Sequence, residues 1–210
     1  MNSVVLTGIK GNLGVVVEAV LHQRGWNVIG MDRHDADLTD AEAVKHAITA
    51  IPTPLTAVVH LVGGIKAGTP IEETSTAVLM DMFMLNVVTA YNVMSAAIPA
   101  MKRAGGGCFV SMGAQSVLHP VKDRAAYSAA KSALVSLTLS LAEEGRPHNI
   151  RANSILPSII KTPSNMEWAT EEESKQWVTR EQIASAIADL IDPSSGVSGA
   201  VIPMFGHIPF

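Results

Sequence analysis

A single α/β domain, a mostly parallel sheet flanked by helices, is what this sequence predicts. Three observations carry the expectation. Short apolar runs alternate with longer helical ones along the chain, the pattern of repeated β-α-β units. A glycine loop, Thr7-Gly8-Ile9-Lys10-Gly11-Asn12-Leu13-Gly14, stands between the first apolar run and the first helical one. An acidic residue, Asp32, follows the second apolar run, 18 residues beyond Gly14 (32 − 14). Together they specify one doubly wound, Rossmann-type domain over residues 1–210, with roughly seven strands.

The elements follow in order. Residues 3–6 are a first strand, and 13–24 a helix opened by the glycine loop. Residues 26–31 read as a second strand and 40–50 as a second helix. Residues 55–61 are rich in Val and bounded by prolines and glycines, so they form a third strand. A long helix over 76–102 is followed by a strand at 108–112. The Ala- and Leu-rich run 124–144 is a helix, with Asp123 available as its N-cap and Gly145 and Pro147 after its end. A strand at 151–156, a helix at 181–190 and a short strand at 200–204 complete the pattern. The polar stretch 163–180, with Glu171, Glu172 and Glu173 in a row, reads as a loop or short helix on the rim and a candidate lid. Trp168 and Trp177 within it either wall a pocket or anchor the segment.

Composition narrows the function. Hydrophobic residues make up 48% of 210 and charged residues 16%, so much of the chain is buried. The net charge of −4, with no basic stretch beyond two adjacent residues, argues against nucleic acid or an anionic membrane as partner. No apolar run reaches the ~18 residues of a membrane helix. The single cysteine, Cys108, leaves no internal disulfide and fits a reducing compartment. With no charged-then-apolar leader ahead of the first strand, the expected setting is the cytoplasm. The seven histidines and one cysteine show no metal-ligand spacing.

The glycine loop carries the first chemistry. Gly8, Gly11 and Gly14 stand at G-x-x-G-x-x-G spacing, so the backbone can approach a pyrophosphate that rests on the helix N-terminus. Asp32 is placed to bond a ribose 2′-hydroxyl and would repel a 2′-phosphate, which favours NAD(H). Arg33 beside it, helped by Lys10, could accept that phosphate and leaves NADP(H) as the alternative. The second chemistry is Tyr127-Ser128-Ala129-Ala130-Lys131. Residues four apart share a helix face, so the phenol and the ammonium point the same way. A fixed cation lowers a tyrosine toward neutral pH, where it serves as general acid and base.

These features resemble the short-chain dehydrogenase/reductase family, over essentially the whole chain. Tyr127 and Lys131 match the family's Tyr-x-x-x-Lys. Asn86 stands 41 residues before the Tyr (127 − 86), where the family has its catalytic Asn, within Asn86-Val87-Val88-Thr89. Asp37-Leu38-Thr39-Asp40 resembles the segment that touches the adenine, which implies cofactor contacts for Asp37 and Leu38. Val62, Gly63 and Gly64 stand where the family usually has part of Asn-Asn-Ala-Gly. Pro157, Ile160 and Thr162 resemble the loop that closes over the nicotinamide. The resemblance implies hydride transfer between the nicotinamide and a small carbonyl or alcohol. Tyr127 would exchange a proton with the substrate oxygen, Lys131 would hold the ribose, and Asn86 would position a water. It also implies a homodimer or homotetramer through the helices at 76–102 and 124–144. The apolar tail, 201–210, is a further candidate oligomer contact.

One position departs from the family. Its serine, thirteen residues before the Tyr, is Ala114 here (127 − 13). Three explanations stand open: Ser116 or Ser111 supplies the hydroxyl, with Ser116 the better placed; Gln115 supplies an amide; or the substrate needs no donor. The third has a parallel in dihydropteridine reductase, a family member that resembles this chain in having Ala there and that reduces a quinonoid ring. A further reading is a catalytically weak dinucleotide-binding sensor or scaffold. His60 and His119 are read as structural or substrate-lining residues, and Met80, Met82, Phe83 and Met84 as core or subunit packing.

Overall fold

The computed structural model describes residues 2–208. In chain order its strands are β1 (Ser3–Thr7), β2 (Asn27–Met31), β3 (Leu55–His60), β4 (Gly107–Met112), β5 (Ile150–Pro157), β6 (Ile160–Lys161), β7 (Val178–Thr179) and β8 (Val201–Met204). Six of them form one sheet in the order β2-β1-β3-β4-β5-β8, every neighbouring pair parallel, while β6 and β7 pair separately. The expected roughly seven strands are thus six in the main sheet. The chain passes from β2 to Asp40, the N-cap of the next helix, through residues 32–39. A further parallel strand would need a crossover of about a dozen residues or more, and that stretch has no room for one.

The helices are α1 (Gly14–Gln23), α2 (Ala41–Thr49), α3 (Thr76–Phe83), α4 (Thr89–Arg103), α5 (Ala125–Gly145), the single turns α6 (Pro163–Met166) and α7 (Glu171–Ser174), and α8 (Arg180–Ile191). Side chains alternate across a strand, and the two cores divide accordingly. Val5, Val58, Phe109 and Ala152 face α2, α4 and α5, through Val44, Ile48, Val93, Ala97, Met101, Leu134 and Leu141. Val4, Leu6, Ala57, Val59, Val110 and Ile155 face α1 and α8, through Val17, Leu21, Ile183 and Ile187. With both faces covered, these strands read as continuous apolar runs rather than an alternation.

The helix expected over 76–102 contains a five-residue π turn, Met84–Val88, between α3 and α4. By length and composition alone the continuous run Thr76–Arg103 could cross a membrane, against the expectation from apolar runs. In this fold its α4 part packs against β3, β4 and α2. The patch before Asn86 divides: Met82 is buried, while Met80 and Met84 are exposed. A second difference concerns the start of α5. Asp123 does not cap it. Arg124 occupies the N-cap position without a side-chain bond, and Asp123 adopts a left-handed φ of 60° with its carbonyl accepting from the Gly68 amide at 2.9 Å.

The expected loop at 163–180 is ordered by local caps. Thr162 caps α6, and Thr170 and Glu173 form a reciprocal capping box at α7. Trp177 is buried and Trp168 exposed, their rings 5.2 Å apart, so this pair anchors the segment. The tail folds back on its own chain. The Phe205 carbonyl accepts from Ser158 Oγ at 2.9 Å, and the His207 amide donates to Gln176 at 2.8 Å. Pro209 and Phe210, the end of the proposed contact tail, lie outside the described residues.

Candidate active site

The strand order reverses direction at β1, where β2 lies to one side and β3 to the other. The connections diverge there and leave a crevice beyond the carboxyl ends of the strands, the place where open α/β sheets hold ligands. A cavity of about 620 Å³ occupies it. Gly8, Lys10 and Gly11 of the glycine loop, Asp32 and Arg33 after β2, Asp37 and Leu38, and Val62 and Gly63 after β3 all line this cavity, as expected from sequence. His34, Ala36, Thr39, Leu61, Leu85 and Thr89 line it as well and were not anticipated. Thr39 and Thr89 had a usable signal, since each lies within a four-residue run already singled out.

The loop fits a phosphate-bearing ligand. Gly14 opens α1, and a Cβ there would strike the Gly8 carbonyl, so only glycine permits this tight approach. Leu13 is the N-cap of α1 and packs against the core. At the cavity's other end Lys10 Nζ lies 2.7 Å from Asp32 Oδ2. The hydrogen bond and charge of Lys10 hold the Asp32 carboxyl below its ordinary range, and the His34 amide adds a bond at 3.0 Å. The Asp37 carboxylate accepts from the Thr39 hydroxyl at 2.7 Å and amide at 2.9 Å, and these bonds lower it too. The Leu38 carbonyl accepts from Asn92 Nδ2 at 2.9 Å, which ties this segment to α4.

The second group of residues meets around Gly63. A Cβ placed there would lie 2.7 Å from Asn86 Oδ1 and 3.0 Å from Lys131 Nζ. The two side chains therefore converge on one backbone atom from different helices. Asn86 is held in the π turn by three bonds: its Oδ1 accepts from the Gly64 amide at 3.1 Å, and its Nδ2 donates to the Gly64 and Met82 carbonyls at 3.0 Å each. Such turns widen the helix and recur at functional positions. Lys131 is buried, its Nζ donates to the Met112 carbonyl at 2.8 Å, and it lies 6.0 Å from the centre of the Tyr127 ring. Burial lowers the ammonium to about 8. The expected lowering of Tyr127 is corrected: burial raises the phenol, and the charge that opposes this belongs to Arg124. Lys131 Nζ lies over the ring and donates one of its N–H groups to a carbonyl.

The serine question is partly resolved. Ala114 ends the extended segment after β4 and is buried. Ser111 is engaged in a buried hydroxyl group with Thr138 at 2.9 Å and Ser154 at 3.0 Å, so it faces the core. Ser116 lies in the 3-10 turn Gln115–Val117, its Oγ buried without a hydrogen-bond partner. His60 is structural. Its Nδ1 lies 3.0 Å from Thr7 Oγ1 and its Nε2 3.5 Å from Thr89 Oγ1, and burial pushes it down to about 3. His119 packs edge-on against Phe205, with ring centres 5.7 Å apart.

Beyond β5 lie three further expected contacts, Pro157, Ile160 and Thr162, which do not line that cavity. Pro157 ends β5 beside Met204, Ile160 pairs with Val178, and buried Thr162 accepts from the Asn165 amide at 3.2 Å. Two bonds not foreseen tie the 163–180 segment to the glycine loop: Asn12 Nδ2 donates to Ser164 Oγ at 3.2 Å, and Arg180 Nη1 donates to the Asn12 carbonyl at 3.2 Å.

A family model described as short chain dehydrogenase matches residues 34–173. Protein FixR of Bradyrhizobium diazoefficiens is 29% identical over 236 residues, covering 96% of this chain and 84% of that protein. The 3-oxoacyl-[acyl-carrier-protein] reductase MabA of Mycobacterium tuberculosis is 26% identical, covering 97% of this chain and 91% of its own. The solved structure of ElxO with NADP bound has the same fold, with a TM-score of 0.90 at 21% identity over 98% of this chain and 97% of that one.

Proposed function

This chain belongs to the short-chain dehydrogenase/reductase family, a family of oxidoreductases, and from that membership we propose that it interconverts a small carbonyl and its alcohol with a nicotinamide cofactor. The observation that carries the reading is the convergence at Gly63. Asn86 Oδ1 and Lys131 Nζ both reach it, and the Tyr127 ring lies beside Lys131. The bound nicotinamide would supply or take up the hydride. Tyr127 Oη donates the proton to the substrate oxygen in reduction and accepts it in oxidation. A phenol raised by burial is protonated near neutral pH, so it holds the proton that reduction needs. Lys131, charged below about 8 and held by the Met112 carbonyl, would bond a ribose hydroxyl of the cofactor. Asn86 fixes the Gly63-Gly64 backbone and would order a water between Lys131 and solvent. The oxo group in the name of MabA supports a carbonyl substrate.

NAD(H) is the proposed cofactor, because Asp32 stands at the end of β2. Lys10, already paired with it, and Arg33 would supply the charges for NADP(H), the cofactor in the ElxO structure. Asn12, Leu13, Gly14, Pro157, Ile160 and Thr162 complete the proposed cofactor contacts. A dimer or tetramer through the helical run 76–102 and α5, in the cytoplasm, belongs to the same reading. A quinonoid substrate is the second reading, favoured by Ala114 and by the turning of Ser111 into the core. Fluorescence titration with NADH and NADPH, followed by turnover on ketones, quinones and dihydropterins, tests both. We expect tighter binding of NADH and turnover that Tyr127→Phe reduces at least a thousandfold. Equal rates in the mutant would remove Tyr127 from the reaction, and no turnover on any compound would favour a dinucleotide sensor.

A further inference from the structure

Arg180 is the first residue of α8, yet its side chain reaches back to the glycine loop, 168 positions away in sequence, and donates to the Asn12 carbonyl. Its Nε is buried without a hydrogen-bond acceptor. Among the described residues no carboxylate lies within 4.0 Å of its guanidinium. The α8 terminus does not explain it, because Thr179 and Gln182 already cap that end reciprocally at 2.8 and 3.1 Å. Arg180 lines a cavity of about 330 Å³ together with Lys161, Thr162, Thr179 and Glu181. An arginine fixed by one donor, with another buried and unmatched, is built for an anion of planar or bidentate geometry.

We propose that Arg180 is a cofactor-binding residue that holds the diphosphate of the dinucleotide from the lid side, opposite the amides of the glycine loop. The inference rests on the dinucleotide reading above and adds a contact that neither the loop nor the Tyr-Lys helix supplies. The bond to Asn12 sets the guanidinium beside the loop before ligand arrives, so little ordering is left to binding. Ser164 accepts from the same Asn12, so two bonds join the 163–180 segment to the glycine loop.

The test is binding rather than turnover. Dissociation constants for NADH, ADP and adenosine are measured by calorimetry for the wild type, Arg180→Gln and Arg180→Lys, with thermal melts to check folding. Loss of a charge-assisted bond corresponds to roughly tenfold or more. We expect Arg180→Gln to weaken NADH and ADP by that factor and to leave adenosine unchanged, with Arg180→Lys between. A merely structural latch would weaken all three ligands together and overturns the proposal, as does unchanged ADP binding in Arg180→Gln. If the wild type binds neither NADH nor NADPH, the dinucleotide reading itself fails and takes this inference with it.

Discussion

His60 ends β3 with both ring nitrogens turned to threonine hydroxyls, one at the end of β1 and one at the start of α4. It therefore joins three elements near the crevice at the strand ends and is neutral at physiological pH. Burial holds it at about 3, against 6.5 for an ordinary histidine. The folded protein thus binds fewer protons than the unfolded chain between those values, and stability falls as pH drops through that window. Each pH unit there costs at most about 1.4 kcal/mol. We expect urea midpoints at pH 7, 5.5 and 4 to decline, and to decline less in His60→Gln. An identical decline in both would show that other groups carry the acid sensitivity. Lys131 runs in the same sense at higher pH. Its lowered value makes stability rise from about 8 toward 10.5, so the buried charge serves the site rather than the fold. Sequence spacing placed Lys131 beside Tyr127, but it could not report that burial outweighs any cation at the phenol.

At the scale of elements, the site depends on interruptions of regular structure. The π turn at Met84–Val88 carries Asn86, two of whose three bonds lock Gly64 in the segment after β3. The 3-10 turn after β4 carries Ala114 at its N-cap, with φ −158° and ψ 154°, extended backbone that any residue adopts. A serine therefore fits there without backbone strain. If no hydroxyl faces the substrate, Ala114→Ser is expected to raise ketone turnover by up to roughly a hundredfold, with NADH affinity unchanged. A change of less than twofold would mean that Ser116 or Gln115 already does this work. Neither interruption was visible in the sequence, because helix periodicity persists through a single wide turn and a three-residue turn has no period of its own.

For the molecule as a whole, the long helical run presents Met80, Met84 and Tyr91 to solvent, 45% or more exposed. Apolar side chains at this exposure along one helical run suit a subunit contact. We expect a dimer or tetramer by light scattering, and a monomer for the double variant Met84→Glu, Tyr91→Arg. An unchanged assembly would move the interface elsewhere. The tail is a poorer candidate than its composition suggested, since Phe205 and His207 are bonded within their own chain.

The sequence by itself determined the α/β class, the glycine loop and its acidic partner at Asp32, and the spacing of Asn86, Tyr127 and Lys131. These are local or periodic features, written in turn chemistry and in which residue types recur at fixed intervals. Only the tertiary structure decided that Gly63 is where Asn86 and Lys131 meet, that Ser111 faces the core, and that Arg180 lies on Asn12. Each of these joins residues far apart in the chain, through the packing of helices on a sheet, and no interval along the sequence encodes such an approach.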